Sequence, residues 1–391
     1  MTAANPYLVA RLGGLGTTIF TEMTALAVET GSVNMGQGMP DTDGPQEIMD
    51  AVTAAMAAGH NQYPPLPGMP VLRQAVAAHQ RRFHALEYDP DSEIQITMGA
   101  SEALTASVLA FCEAGDEIVM FEPYFDLYAA AGALAAAQRR VVTLRQPDFG
   151  FDLDELRAAI GPQTRLLILN TPHNPTGKVF ARDELTAIAE LCIEHDVIVL
   201  SDEVYEHMVF DGRTHTPMAT LPGMWDRTVT ISSAGKTFSF TGWKIGWACA
   251  PAPLIEAIRT VKQNLTFAGG TPFQPAVAHG LGMPDSYFDG LTQEMQAKRD
   301  HLSGALQAAG FDVLAPAGTY FVTVDITSIG ETDGLAFCRS LPDRCGVVAV
   351  PSVVFYDTKA VGAALVRFTF CKRMDVLDEA VARLGRLGGG S

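Results

Sequence analysis

Short apolar runs recur between residues 94 and 250, separated by stretches with helical periodicity. Ile94–Thr97 reads as a strand, and Gly99-Ala-Ser101 opens a helix to about Cys112. Glu117–Glu122 is a second strand, with an alanine-rich helix from about Phe125 and further strand at Val141–Leu144. Asp152-Leu-Asp-Glu155 has the spacing of a capping box, ahead of a helix ending near Gly161. Arg165–Asn170 carries a continuous apolar run bounded by turn residues, as in a strand buried on both faces. Within Arg182–His195, apolar residues at 185, 188, 189, 192 and 193 form a helical stripe. Val197–Leu200, Thr228–Ser232 and Ile245–Ala250 complete the series of strands.

Strands alternating with helices imply an α/β fold, a largely parallel sheet covered on both faces. Beyond about residue 283 the pattern becomes α+β: a long helix at Ser286–Gly310, strands at Thr319–Val324, Val347–Val350 and Ala364–Phe370, and a closing helix at Met374–Leu387. The expected organisation is an N-terminal arm and first part of a small domain (1–45), a large domain (46–283) and a C-terminal small domain (284–391). Gly388–Ser391 reads as a flexible tail without function.

Composition narrows the partners. The 391 residues carry 27 Lys+Arg against 44 Asp+Glu, a net charge of −17, which argues against a nucleic-acid backbone as ligand. No apolar run approaches the ~20 residues of a membrane-spanning helix. Met1–Pro6 lacks a basic region followed by an apolar core, so no secretory leader is expected. Six scattered cysteines without a C-x-x-C pair suit reduced thiols in the cytoplasm. The nine histidines show no metal-ligand spacing; His207, four residues after Glu203, reads as a solvated or core-edge histidine, and no metal is expected.

In open parallel sheets ligands sit at the carboxyl ends of strands. Four such places hold chemistry. Lys236 follows a strand among small residues, Ser232-Ser-Ala-Gly235, where a bulky ligand can approach the backbone; lysine forms Schiff bases once its pKa is lowered. Asp202 and Tyr205 follow Val199-Leu-Ser. Asn174 lies between Pro172 and Pro175. Gly99-Ala100-Ser101 opens a helix whose free N–H groups suit an anion. Ala234-Gly-Lys-Thr237 also invites a phosphate-loop reading, but that motif requires glycine at 230, which is Thr. Each feature alone has a plain alternative, respectively a solvated charge, a helix cap, a turn and an ordinary helix start. A single ligand uses all four: pyridoxal 5′-phosphate, with an aldehyde for the lysine, a ring nitrogen for the carboxylate and a phosphate for the helix N-terminus.

With these motifs, spaced 28 residues from Asn174 to Asp202 and 34 from Asp202 to Lys236, the chain resembles the fold-type I pyridoxal-phosphate aminotransferases of class I/II over about residues 15–385. Its motifs are most similar to the kynurenine/glutamine/methionine branch, and Leu365–Arg373 with Thr18–Met23 to actinobacterial N-succinyldiaminopimelate aminotransferases. The resemblance implies a Schiff base on Lys236, which also shuttles the proton; Asp202 at the ring nitrogen; Tyr205 and Asn174 at the phenolic oxygen; Ala100, Ser101, Ser233 and Lys244 at the phosphate; and Phe125 stacked on the ring. It implies Arg367 and Gly38 at the substrate carboxylate, with Asn174 and the wall residue Phe20 beside them. Arg367 interrupts an apolar strand, Val366 and Phe368 facing away from it. Tyr63 would reach the phosphate, and Phe267 the substrate pocket, of a second subunit, which makes the implied enzyme a homodimer with shared sites.

Departures from the family pattern are Lys244, where many members carry arginine, and the absence of a second arginine near Phe267 for a distal carboxylate. The implied activity is transfer of an amino group from an aromatic, sulfur-containing or N-succinyl-LL-diaminopimelate-like L-amino acid to a 2-oxo acid. Alternatives are a carbon–sulfur β-lyase on the same cofactor, a regulatory module retaining the fold, and a nucleotide hydrolase.

Overall fold

A computed structural model describes residues 7–16 and 18–387; Gly388–Ser391 lie outside the described residues. β1 (Val33–Asn34) is a short segment near the N-terminus. The central sheet follows, with β2 (Ile94–Met98), β3 (Glu117–Glu122), β4 (Gln138–Thr143), β5 (Thr164–Asn170), β6 (Ile198–Asp202), β7 (Thr228–Ser233) and β8 (Ile245–Cys249), in the spatial order β2-β8-β7-β6-β5-β3-β4. β8 is antiparallel to both neighbours, while the pairs among β3 to β7 are parallel. The expected parallel sheet therefore contains one reversed strand.

All residues of β3, β7 and β8 are buried, because helices cover both faces. On one face the helices Gly99–Phe111 and Ala252–Leu265 pack with Ile118, Ile168, Leu200 and Val229; on the other, Val119, Leu167 and Val199 meet Leu185 and Ile188 of the helix Arg182–Glu194. The edge strand β4 starts at Gln138, three residues before its apolar run, since its exposed first residues are polar.

β9 (Asp312–Leu314), β10 (Phe321–Asp325), β11 (Val347–Val348), β12 (Val350–Pro351) and β13 (Leu365–Thr369) follow. They form an antiparallel sheet β12-β13-β10-β9, while β11 pairs in parallel with β1 and so ties the N-terminal arm to the C-terminal third. The single strand expected at 347–350 is thus two, serving different sheets. The strand expected from Thr319 begins at Phe321, because Thr319 adopts φ 68°, outside extended geometry. Arg367 pairs with Thr323 and Val350 in the middle of this sheet and is buried, as are Val366 and Phe368.

Asp152 caps the helix Leu153–Ala159 through the amides of Asp154 and Glu155. The reciprocal half of the capping box is not made: Glu155 instead accepts from the Thr143 amide at 2.9 Å and from Arg145 at 2.6 Å. A cation on the adjacent loop attracts this carboxylate away from the cap. Among the described residues, no helix is long and apolar enough to cross a membrane, and all six cysteines are free and buried.

Candidate active site

The central sheet presents its chemistry along one edge. Asn170, Asp202 and Ser233 end β5, β6 and β7, and Asn170 pairs with Asp202 in register. β8 runs the opposite way, so Lys244, just before it, comes to the same edge, with Gly246 opposite Ser233. β2 ends opposite Ile245 and passes directly into the helix Gly99–Phe111. A cavity of about 350 Å³ opens here, a size typical of small-molecule sites. It is lined by Ala100, Ser101, Phe125, Asn174, Asp202, Tyr205, Ser233, Lys236 and Lys244, and also by Phe20, Gly38 and Arg367. Twelve expected residues from distant parts of the chain therefore converge.

Lys236 lies on the single-turn helix Ala234–Thr237. Its Nζ donates to the Tyr320 hydroxyl at 2.9 Å, which in turn donates to the Gly38 carbonyl at 2.8 Å. Burial lowers the lysine's pKa, with help from the charges of Arg367 and Lys244 and against those of Asp202 and Cys371. More of the amine is therefore neutral, and nucleophilic, than in a solvated lysine. Asp202 is buried and lines the cavity. Burial raises its pKa, opposed by a 2.7 Å hydrogen bond from Tyr128 and the charge of Lys236. A cationic group set against this carboxylate would offset its desolvation.

The first turn of the helix from Gly99 lines the cavity with Gly99, Ala100 and Ser101, whose N–H groups have no partner within the helix. Lys244 Cε and Nζ lie 3.4 and 3.6 Å from where a Cβ on Gly99 would sit. β8 touches this turn so closely that a Cβ on Gly246 would be 2.5 Å from the Gly99 carbonyl carbon and 2.6 Å from the Ala100 nitrogen. Glycine alone permits that approach. Behind the turn, Glu102 accepts from the Met98 amide at 2.6 Å and from Thr266 Oγ1 at 2.6 Å. The buried Lys262, 3.8 Å from Glu102, donates to the Phe267 carbonyl at 2.7 Å.

Arg367 faces the cavity from the smaller sheet. It donates to Asn174 Oδ1 at 2.9 Å and to the Gly36 carbonyl at 2.8 Å, while its Nε has no partner among the described residues. Phe321 lies 4.0 Å from the guanidinium, with Phe20 and Phe355 each at 5.2 Å. Burial lowers its pKa to about 10. With its oxygen committed to Arg367, Asn174 keeps its amide nitrogen to donate into the cavity. A buried guanidinium held only by neutral acceptors is prepared for a carboxylate.

Comparison with known proteins agrees with this geometry. Residues 30–384 match the family model for aminotransferase class I and II. The chain belongs to that family. It is 48% identical over 390 residues to a probable N-succinyldiaminopimelate aminotransferase, DapC, of Mycobacterium tuberculosis, covering 97% of this chain and 98% of that protein. It is 39% identical over 378 residues to the methionine aminotransferase of Escherichia coli, covering 97% and 98%. The solved N-succinyldiaminopimelate aminotransferase from M. tuberculosis superposes with a TM-score of 0.95 at 49% identity, over 97% of this chain and 100% of that one. The fold is the fold-type I aminotransferase fold, and the protein is a transaminase; these relatives give the β-lyase alternative no support. Family members use pyridoxal phosphate. The residues here fit it, with an anion cradle, a buried carboxylate and a buried amine in one cavity.

Tyr63 and Phe267 lie outside the cavity lining. They are 79% and 46% exposed and meet edge-on with ring centroids 5.5 Å apart. Tyr128, Asn170, Phe321 and Tyr320 escaped the sequence reading. Tyr128 was accessible to it, standing one helical turn after Phe125 in the same segment.

Glu203 and His207 do not share a helix face, because residues 204–207 make a turn. Glu203 accepts from Ser201 Oγ at 2.6 Å and pairs with His215 at 2.7 Å. Glu206 accepts from Ser232 Oγ at 2.6 Å and pairs with His84 at 2.7 Å, while His79 and His207 meet through their Nε2 atoms at 2.8 Å. Ligand-type atoms of His79, Glu206 and His207 lie within 4.8 Å of one another, a grouping across the fold that residue spacing does not reveal.

Burial lowers His79 to about 4 and His207 and His173 to about 3. Their stabilising contribution is complete above the unfolded value of about 6.5. Below it, the unfolded chain takes up protons that the folded chain refuses. Burial also opposes protonation of His84, but Glu206 overrides it and the net shift is upward. Its contribution is present below 6.5 and is lost only above, as pH passes through the raised value. The melting temperature is therefore expected to fall from pH 6.5 to 4, each lowered histidine steepening the fall. Calorimetry across that window tests this, and a flat profile would contradict it.

Proposed function

We propose that this enzyme carries pyridoxal 5′-phosphate on Lys236 and transfers the amino group of an aromatic, sulfur-containing or N-succinyl-LL-diaminopimelate-like L-amino acid to a 2-oxo acid such as 2-oxoglutarate, in a ping-pong cycle. The carrying observation is that a buried amine, Lys236, shares one cavity with a buried guanidinium, Arg367, whose Nε has no partner among the described residues. When bound, the cofactor supplies an aldehyde for amine exchange and a ring that takes up the electron pair left on the substrate Cα.

The chain supplies the rest. The helix turn at Gly99–Ser101, Ser233 and Lys244 hold the phosphate, and Asp202 faces the ring nitrogen. Tyr205 and the Asn174 amide donate into the cavity, and Phe125 covers the ring. Arg367 and Gly38 fix the substrate carboxylate, and Lys236 Nζ carries the proton between carbon atoms.

Donor choice follows from the walls. The cations lining the cavity are Lys236, Lys244 and Arg367. With the first two serving the cofactor, this chain gives its substrate one carboxylate anchor. Phe20, Met39, Leu127 and Phe321 surround the remaining space, so a long side chain is favoured over that of aspartate. The DapC relative adds a specific candidate, the N-succinyldiaminopimelate class, and with it a place in lysine biosynthesis.

The exposed Tyr63–Phe267 pair supports a homodimer in which these rings serve the neighbouring copy's site. Pairing of β1 with β11 supports a small domain built from 1–45 and 284–391 around a large domain of 46–283. Six unpaired cysteines suit the cytoplasm.

The test is the visible spectrum of the cofactor-reconstituted protein during addition of single amino acids without an oxo acid. The cofactor band is expected to bleach with long-chain donors or N-succinyl-LL-diaminopimelate, and to recover with 2-oxoglutarate. Release of pyruvate and ammonia without any acceptor, or no cofactor band at all, would sink the proposal.

A further inference from the structure

Tyr320 plays no part in the assignments above, yet its hydroxyl is the hydrogen-bond partner of Lys236 Nζ, at 2.9 Å. The ring is 1% exposed and meets Tyr205 edge-on, with centroids 5.2 Å apart. It directly precedes β10, after Thr319 at φ 68°. The same hydroxyl reaches the Gly38 carbonyl at 2.8 Å. A Cβ on Gly38 would fall 2.4 Å from the Phe321 ring, so that carbonyl is held by close packing.

A phenol has one proton to donate, and a carbonyl can only accept. In this geometry the Tyr320 proton goes to the Gly38 carbonyl, with the Tyr205 hydroxyl also within its reach, and its oxygen accepts from Lys236. We propose that Tyr320 is a positioning residue for the reaction: with its proton held by Gly38, it accepts an N–H of Lys236 and leaves the amine lone pair free and aimed into the cavity. Were the phenol proton directed at Nζ, it would occupy that lone pair. When Nζ takes the substrate α-proton, the C–H electron pair stays on the carbon side and the amine becomes an ammonium. The hydrogen bond to Tyr320 then becomes charge-assisted and strengthens. Tyr320 thus favours the protonated lysine midway through the half-reaction without blocking the neutral amine that starts it.

This inference rests on Lys236 being the cofactor lysine and proton carrier. Tyr320→Phe removes one oxygen and keeps the ring. Its cofactor loading is expected to match the wild type, with KM within about threefold. Loss of one hydrogen bond to a charged group should slow the single-turnover amino-transfer half-reaction about 10- to 100-fold, with a larger primary isotope effect for an α-deuterated donor.

A second readout needs no cofactor. In the apoprotein, acylation of Lys236 by acetic anhydride, followed against pH by peptide mass spectrometry, is expected to begin about one pH unit lower in the variant, because the ammonium has lost its acceptor. A purely structural tyrosine would move neither the isotope effect nor the acylation profile. Should Tyr320→Phe not fold, Tyr320→Met also lacks the oxygen and carries the same reading. A folded variant with wild-type half-reaction rate, isotope effect and acylation profile overturns the role. Failure of the underlying assignment is distinct: the wild-type protein itself would then carry no cofactor on Lys236.

Discussion

Lys236→Ala is expected to yield a folded protein whose amino-transfer rate lies at least about 10⁴-fold below wild type. Two contributions disappear together. One is the covalent anchor for the cofactor; the other is the positioned base, a term worth about 10²–10⁴-fold in comparable sites. Folding should survive, because removing a buried amine relieves a desolvation cost and Tyr320 keeps its bond to Gly38. Borohydride treatment followed by peptide mapping should find the cofactor's mass on residue 236 of the wild type and none in the variant. A variant that turns over normally and still carries reduced cofactor would require another lysine for the role.

Arg367→Ala should separate cofactor binding from substrate binding. The guanidinium sits among neutral hydrogen-bond acceptors and three phenylalanine rings, with one N–H unpartnered among the described residues. Two charge-assisted hydrogen bonds to a carboxylate are each worth about 1.5–3 kcal/mol, so kcat/KM should fall about 10²- to 10⁴-fold while the cofactor spectrum is unchanged. Arg367→Lys should recover little, since a single ammonium cannot hold Asn174, Gly36 and a carboxylate at once. An amine lacking the carboxylate provides the control and should react equally slowly with both proteins. Unchanged amino-acid kinetics in Arg367→Ala would remove the arginine from the site.

Much of this site was legible because parallel sheets place function at strand ends, and those ends are readable as apolar runs halted by polar residues. Asp202, Asn174 and Lys236 were visible in that way, and Arg367 stood out as a charge inside an apolar strand. Tyr320 was not visible. An aromatic residue just before a strand looks like core, and its meaning comes from Gly38, 282 residues away in sequence. The reversed direction of β8 was hidden for a similar reason: a fully buried strand is apolar whichever way it runs. The capping box at Asp152 misled in its second half because spacing cannot register a competing arginine.

The buried link from Glu102 through Thr266 and Lys262 to Phe267 joins the head of the helix Gly99–Phe111 to an exposed aromatic pair. In the dimer proposed above, cofactor occupancy and subunit association therefore share a mechanical element. Linkage makes the exchange reciprocal: whatever factor the cofactor contributes to the association constant, association contributes to the cofactor's affinity. Dilution and cofactor depletion then become two routes to the same inactive population, and each protects against the other when reversed.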